Sequence, residues 1–369
     1  MPSPVLGILT LYLNDKKQLE EKKIYERMIS EGERLGLDVY VFTPSDVHPS
    51  KEMIHALIYE TEHKRWARKW RKFPDMIFDR CRIQRSARFQ ELKHFRVKYA
   101  HLLFLNRPLR NKWTIHQVLH KKQRFKPYLL DTKLFSSNTD LKSMLKKHSL
   151  LYVKPINGTG GRGILRIERL TRGGLLLVQG RDHNRQILEP RQMHYSLLPK
   201  LLKNWGVKSR YIIQEGVQLQ LSNGRVHDYR MLVQKNQDGI WEFTGCAGRI
   251  GGYKSVTSNL HGGGTAIEMN ELLSQWLTDS DKRAEVRSAV EQFGVDVAKY
   301  LEATYGALCE LALDIAIDKN GDIYLIEVNP KPAREVFAQI GQNEVYKQAI
   351  VKPLEYSLWL YNQRSLSYN

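Results

Sequence analysis

Two periods of apolar and polar positions alternate along this chain and sketch its elements. Val5–Leu13 and Leu37–Thr43 are short apolar runs that predict strands, and Gln18–Leu35 between them has helical spacing that stops at Gly36. Met76–Ile83 predicts a third strand, Ala87–His101 a helix, and Leu102–Asn106 another strand. Strands alternating with helices imply a mostly parallel sheet, so residues 1–106 read as an α/β domain. Asn111–Gln123 predicts a helix led by Lys112, and Leu150–Lys154 a strand. Residues 211–248 predict a meander with turns at Asn223-Gly224 and Asp238-Gly239. On its middle strand Asp228 and Arg230 share one face, opposite Tyr229 and Met231. Residues 267–305 are helical, with Val286, Val290, Phe293 and Val297 on a core stripe, and Ala338–Asn362 predicts one or two covering helices.

The most informative stretch is LALDIAIDKNGDIYLIEVNPKP, Leu311 to Pro332. Two apolar runs flank Asn320-Gly321, a strong hairpin signal. With those two residues as the turn, Lys319 faces Asp322 and Asp314 faces Glu327. Ala312, Asp314, Ala316, Leu325, Glu327 and Asn329 then share one face, with Asn329 diagonally beside Asp314. Leu313, Ile315, Ile317, Tyr324, Ile326 and Val328 take the core face. Facing carboxylates ~5 Å apart repel one another, unless the edge is solvated or they hold a cation. Two carboxylates and an amide oxygen suit Mg²⁺ or Mn²⁺ that also grips phosphates.

Gly158 to Gly163, GTGGRG, sits between two predicted strands, not before a helix. That context disfavours a dinucleotide fingerprint and leaves either an ordinary hairpin or a phosphate-covering flap, with Lys154 on the strand that feeds it. Arg230 suits a phosphate through its fork of donors, or pairs with Asp228 on a sheet face. CAGRIGGYKSVTSNLHGGGTA, residues 246–266, reads as a long glycine-rich loop with Arg249 at its front and Asn259, His261 and Gly262–Gly264 at its back.

Composition narrows the classes. The 369 residues, 42% hydrophobic, can bury a real core. Three scattered cysteines give no disulfide or zinc framework, which suits a reducing cytosol. The apolar N-terminus lacks a basic leader, and no run approaches the ~20 residues of a membrane helix. The net charge of +19 is concentrated: residues 64–126 carry 20 Lys and Arg against 3 Asp and Glu. That window predicts an acidic partner, whether peptide, protein or nucleic acid. HKRWARKWRK, residues 63–72, is either an aromatic-laced basic surface or a solvated helix with its tryptophans inward.

Taken in order, YVKPINGTGGRGI, IIQEGVQL, DYRMLV and YLIEVNPKP resemble the landmarks of the ATP-grasp superfamily over roughly 105 to 332. GTGGRGI and SNLHGGGTA most resemble the YheC/YheD group of endospore coat-associated proteins. The resemblance implies an α/β fold with an N-terminal Rossmann-like pre-ATP-grasp domain over 1–106 and an ATP-grasp domain over 107–369. The latter divides into a lid lobe of about 107–210 and a metal and catalytic lobe of about 211–369. It further implies that Lys112 and Lys154 meet the ATP phosphates under a flap of Gly158, Thr159, Gly160, Gly161 and Gly163. Gln214, Glu215 and Val217 would form the hinge at the base, and Asp314, Glu327 and Asn329 the Mg²⁺ or Mn²⁺ ligands. Arg230 would be a phosphate or lid contact, and Arg249 with the loop to Gly264, including Asn259, His261, Gly262 and Gly263, would hold the substrate acyl phosphate. Lys331 either meets a carboxylate substrate or is a strand-end charge.

The activity so implied is ATP- and Mg²⁺-dependent ligation of a carboxylate to an amine or thiol through an acyl phosphate. Its substrate would be an acidic small molecule, peptide or coat protein, in the bacterial cytoplasm on the mother-cell side and associated with the spore coat. The alternatives are a nucleotide-binding coat or interaction protein without turnover, and nucleic-acid binding through residues 64–126.

Overall fold

The computed structural model describes residues 3–82, 86–158, 160–171, 173–260 and 263–366. Three sheets organise it. The first contains β1 (Val5–Leu9), β2 (Asp38–Phe42), β3 (Val47–His48), β4 (Met53–Glu60), β5 (Arg65–Lys72), β6 (Met76–Asp79) and β7 (Leu103–Phe104), in the order 3-4-2-1-6-7 with β5 on β4. β1, β2, β6 and β7 run parallel, as expected of an α/β domain. The strand from Met76 ends at Asp79; Ile83 lies outside the described residues. Helix α1 (Lys22–Arg34) covers one face and α2 (Ala87–Lys98) the other.

The basic segment 63–72 corrects the helical reading. It is the outer strand β5 of an antiparallel hairpin with β4. Its period is two: Trp66, Arg68 and Trp70 share one face, and Ala67, Lys69 and Arg71 the other. Much of its charge is spent within the fold. Arg65 and Lys69 pair with Glu60, Arg68 with Asp46 and Arg71 with Asp38, while Trp66 donates to Glu26. Among the described residues no helix is long and apolar enough to cross a membrane.

The second sheet contains β8 (Thr132–Leu134), β9 (Leu150–Pro155), β10 (Ile164–Arg169), β11 (Leu175–Arg181), β12 (Ile187–His194) and β13 (Tyr211–Glu215). Helices α3 (Lys112–His120), α4 (Asn138–Lys147) and α5 (Leu198–Trp205) lie in the same stretch of chain. Leu151, Val153, Leu165, Ile167 and Ile213 pack on α4 and α5 through Leu141, Met144, Leu201 and Leu202. Strand alternation therefore turns Tyr152, Lys154, Arg166 and Gln214 to the opposite face. β13 pairs with β8 and β9, so residues 211–248 are not one meander; Asn223-Gly224 instead turns within the link to the third sheet.

That third sheet orders β14 (His227–Lys235), β15 (Trp241–Ile250), β16 (Thr265–Glu268), β17 (Glu310–Ile317) and β18 (Ile323–Asn329) as 16-15-14-17-18. Between β16 and β17 run α6 (Met269–Trp276) and α7 (Ser280–Tyr305). Val286, Val290, Phe293 and Val297 of α7 meet Tyr229, Met231, Leu313 and Ile315, the packing their spacing predicts. On the other side, α8 (Glu335–Gln339) and α9 (Asn343–Leu366) share a core with α1 and the first sheet.

Asp314 faces Glu327, but not by the expected route. The loop holds three residues, Lys319 to Gly321, because Asp318 Oδ1 accepts the amides of Asn320 (2.8 Å) and Asp322 (2.9 Å) and closes a longer turn. Asn236 does the same for Asp238 and Ile240 in the β14–β15 hairpin. A bulge on β18 at Ile326 restores the pairing, so Ala312, Asp314 and Asn329 keep their places. Between turn and bulge the faces are exchanged. Leu325 joins the core, whereas Tyr324 pairs with Ala316 and Ile326 reaches the cleft.

The first and third sheets are tied by buried charge. Arg80, just after β6, meets Glu21 at 2.7 Å and also Glu310 of β17, which takes Arg334 as well. Arg80, Glu310 and Arg334 are fully buried, and Gln234 adds a donor to Glu310 at 3.2 Å.

Candidate active site

The polar faces of the second and third sheets meet in a cleft. Lys154 enters from β9, its Nζ donating to Gln214 Oε1 at 2.7 Å and to the Ile326 carbonyl at 3.3 Å. The Ile326 acceptor lies at the β18 bulge. Gln214 is fixed in turn by Thr132 Oγ1 at 3.1 Å. Lys112 opens α3, whose first turn is capped by Asn111. It donates to the Gly158 carbonyl at 2.7 Å and pairs with Glu327 at 3.2 Å.

From the third sheet, Arg230 grips Asp314 with two donors at 2.6 and 2.9 Å. Arg249 grips Asp228 with two at 2.7 Å and reaches Asp314 at 3.1 Å. Asn329 lies against Asp314 at 3.4 Å. Arg249 stands at the end of strand β15, not in the loop assigned to it; the loop spans 251–264.

These four cations and three carboxylates are therefore interleaved across the cleft, and their protonation follows. Burial would raise the Asp314 carboxyl, but Arg230 and Arg249 outweigh it and hold it well below the usual range. Burial pushes the Lys154 ammonium down to about 8, helped by Lys112 and opposed by Glu327 and Asp314. Among the described residues no three His, Cys, Asp or Glu side chains gather at one point. A hard cation held here would have the Asp314 and Glu327 carboxylates and the Asn329 amide as its protein donors, leaving positions for oxygen ligands such as phosphates.

The loop between β9 and β10 arches over the cleft. Gly160, Gly161 and Gly163 all have φ near +70°. A Cβ on Gly161 would lie 2.6 Å from Asn259 Nδ2 and 3.0 Å from Thr257 Oγ1, so the arch rests on the 251–264 loop. Gly158, Gly160, Gly161, Glu215, Val217 and Asn259 line the cleft. Gly163 packs beside His183, and Gly263 has open space around its Cα. Thr159, His261 and Gly262 lie outside the described residues. Lys331 points away, to Asp79 at 3.4 Å in the first sheet.

Three features escaped the sequence reading. Asp228 anchors Arg249; the shared face with Arg230 was its only sign. The Ile326 carbonyl depends on a bulge with no local signature. His148 bridges Asp131 (2.9 Å) and Glu215 (3.1 Å), orienting the Glu215 carboxylate beside the cleft.

This arrangement has known counterparts. A model of the YheC/D-like ATP-grasp family matches residues 101–360. The chain is 26% identical to "Endospore coat-associated protein YheC" of Bacillus subtilis (strain 168), over 97% of this chain and 98% of that one. It is equally 26% identical to "Endospore coat-associated protein YheD" of the same organism, covering 97% and 79%. Among solved structures, the D-cycloserine synthetase DcsG aligns with a TM-score of 0.54 at 12% identity, over 94% of this chain and 98% of that one. The D-alanine-D-alanine ligase from Coxiella burnetii aligns with 0.51 at 11%, over 99% and 98%. The sheets, the arch and the paired carboxylates thus have the ATP-grasp fold, and the chain belongs to the YheC/D-like ATP-grasp family.

Proposed function

We propose that the protein is an ATP-dependent ligase that joins a carboxylate to an amine or thiol. The observation that carries this reading is the facing of Lys112, Lys154 and the glycine arch against Asp314, Glu327, Arg230 and Arg249 across one cleft. The adenine would lie along Gln214 to Val217, and the phosphates under the arch against the two lysines. Asp314, Glu327 and Asn329 would hold Mg²⁺ or Mn²⁺, which when bound neutralises phosphate charge. Arg230 and Arg249, fixed by their carboxylates, present preorganised charge to the phosphoryl group in transfer. The substrate carboxylate attacks the terminal phosphate, giving an acyl phosphate and ADP, and the nucleophile then displaces phosphate. The names of the two structural neighbours, a synthetase and a ligase, support this chemistry.

The purified protein with Mg-ATP is expected to release ADP only with one of several pools of amino acids, small peptides or coat extract. Bound Mg-ATP without release in every pool would favour the second reading, a nucleotide-binding coat protein. The coat-associated names of both relatives favour that reading, and a spore-coat setting.

Lys154 supplies a separate test. Its ammonium gives up its proton near pH 8 in the free protein, and phosphate charge beside it favours the protonated form. ATP binding at pH 8 to 9 is therefore expected to take up a proton, and affinity to fall as pH rises above about 8. Calorimetric titration in buffers of different ionisation enthalpy measures the uptake, and Lys154→Met should remove it. Equal uptake in wild type and variant would move the nucleotide phosphates away from Lys154.

A further inference from the structure

Arginines outside the ion pairs of the cleft cluster beside the arch. Arg181 ends β11, paired across the sheet with Ile164, whose side of the arch lines the cleft. It is 6% exposed, and its Nη1 is buried with no hydrogen-bond partner. Its Nε donates to the Arg185 carbonyl at 3.2 Å. Arg185 sits in the turn between β11 and β12 at φ +70°, a conformation that strains a residue with a Cβ. Its Nη2 lies 3.3 Å from where a Cβ on Gly160 would be, and its Nε is also buried without a partner. Arg162, in the arch itself, completes the group and lines the cleft.

Among the described residues none of the three arginines forms an ion pair with an acid. Asp182 is adjacent, but its Oδ1 accepts the amides of Asn184 and Gln186, both at 2.8 Å. Glu189 is taken by Lys254 at 2.9 Å. Burial and the charges of Arg185 and Arg162 push the Arg181 guanidinium down, the direction expected when like charges gather without a counter-ion. A nearly buried, unpaired guanidinium is costly to a fold, and strained turns of this kind collect at binding sites.

We propose that Arg162, Arg181 and Arg185 form a phosphate site beside the arch, separate from the phosphates of the nucleotide. Three guanidinium groups with no ion pair among the described residues match the near-double negative charge of a phosphate group better than the single charge of a carboxylate. The occupant is a phosphate group carried by the second ligand, an identity that rests on the ligase reading.

The test titrates inorganic phosphate into the protein, alone and saturated with Mg²⁺ and β,γ-imido-ATP, following binding by calorimetry. The wild type is expected to bind phosphate in both states. Arg181→Gln/Arg185→Gln is expected to lose at least about tenfold in affinity, the loss of one charged hydrogen bond or more. The single variant Arg181→Gln should melt no lower than wild type, since it removes an uncompensated buried charge. Undiminished phosphate binding by the double variant would overturn the assignment. So would loss of phosphate binding when imido-ATP is present, because the cluster would then hold the nucleotide's own terminal phosphate. A sharp fall in melting temperature in Arg181→Gln, rescued by Arg181→Lys, would mark the cluster as structural. If imido-ATP itself fails to bind, the ligase reading falls, and the nucleotide-free comparison of wild type and double variant still decides the phosphate site.

Discussion

Replacing Glu327 by Gln is expected to lower metal-dependent ADP release by roughly 10²–10³-fold, the cost of removing one preorganised charge from phosphoryl-transfer machinery. The substitution keeps the shape and the oxygen that faces Lys112 but removes half of a two-carboxylate site. The fold should tolerate it. Glu327 keeps about a quarter of its side chain in solvent, and its pair with Lys112 belongs with the weaker ion pairs, worth up to about 1 kcal/mol. A melting temperature close to wild type with turnover nearly gone is the expected pattern. Wild-type turnover in the variant would remove Glu327 from the metal. Asp314 cannot give so clean a result. It neutralises both Arg230 and Arg249 inside the cleft, so Asp314→Asn mixes lost chemistry with two unbalanced buried cations.

The largest effect on stability is expected from Glu310→Ala. Glu310 is fully buried and takes Arg80 from the first sheet and Arg334 from beyond β18. Without it Arg80 keeps Glu21, but Arg334 retains only the Ala349 and Pro332 carbonyls. Breaking a buried pair by deleting one partner costs about 3–5 kcal/mol, because the other charge stays desolvated. Denaturant titration should show the free energy of unfolding falling by that amount. A loss under about 1 kcal/mol would mean that water or relaxation compensates the arginines.

The sequence made the architecture legible where period and flanking glycine agreed. The parallel strands of the first sheet and the α7 stripe of Val286, Val290, Phe293 and Val297 are such cases. The pairing of Asp314 with Glu327 was also legible, for a reason only partly right. A two-residue loop without a bulge and a three-residue loop with one end at the same pair. The ladder between them is decided by which apolar residues pack better, and Leu325 displaces Tyr324, whose hydroxyl belongs nearer water. The strand at 65–72 was hidden because charge dominates its composition while its period of two is carried by tryptophan and arginine. Contacts distant in sequence had no local trace: Lys154 with the Ile326 carbonyl, and Lys331 with Asp79.

The Arg80–Glu310 contact spans 230 positions, and this bears on how the chain is made. Synthesis runs from the N-terminus, so the first sheet leaves the ribosome long before Glu310 exists. Until then Arg80 has Glu21 alone, and the face of α1 that will meet α9 has nothing to pack against. The first sheet thus waits, with an apolar side open, for the last sixth of the polypeptide. Chains that stall before β17 would be the natural clients of chaperones that shield apolar surface, and full-length chains would leave them once the final helix closes.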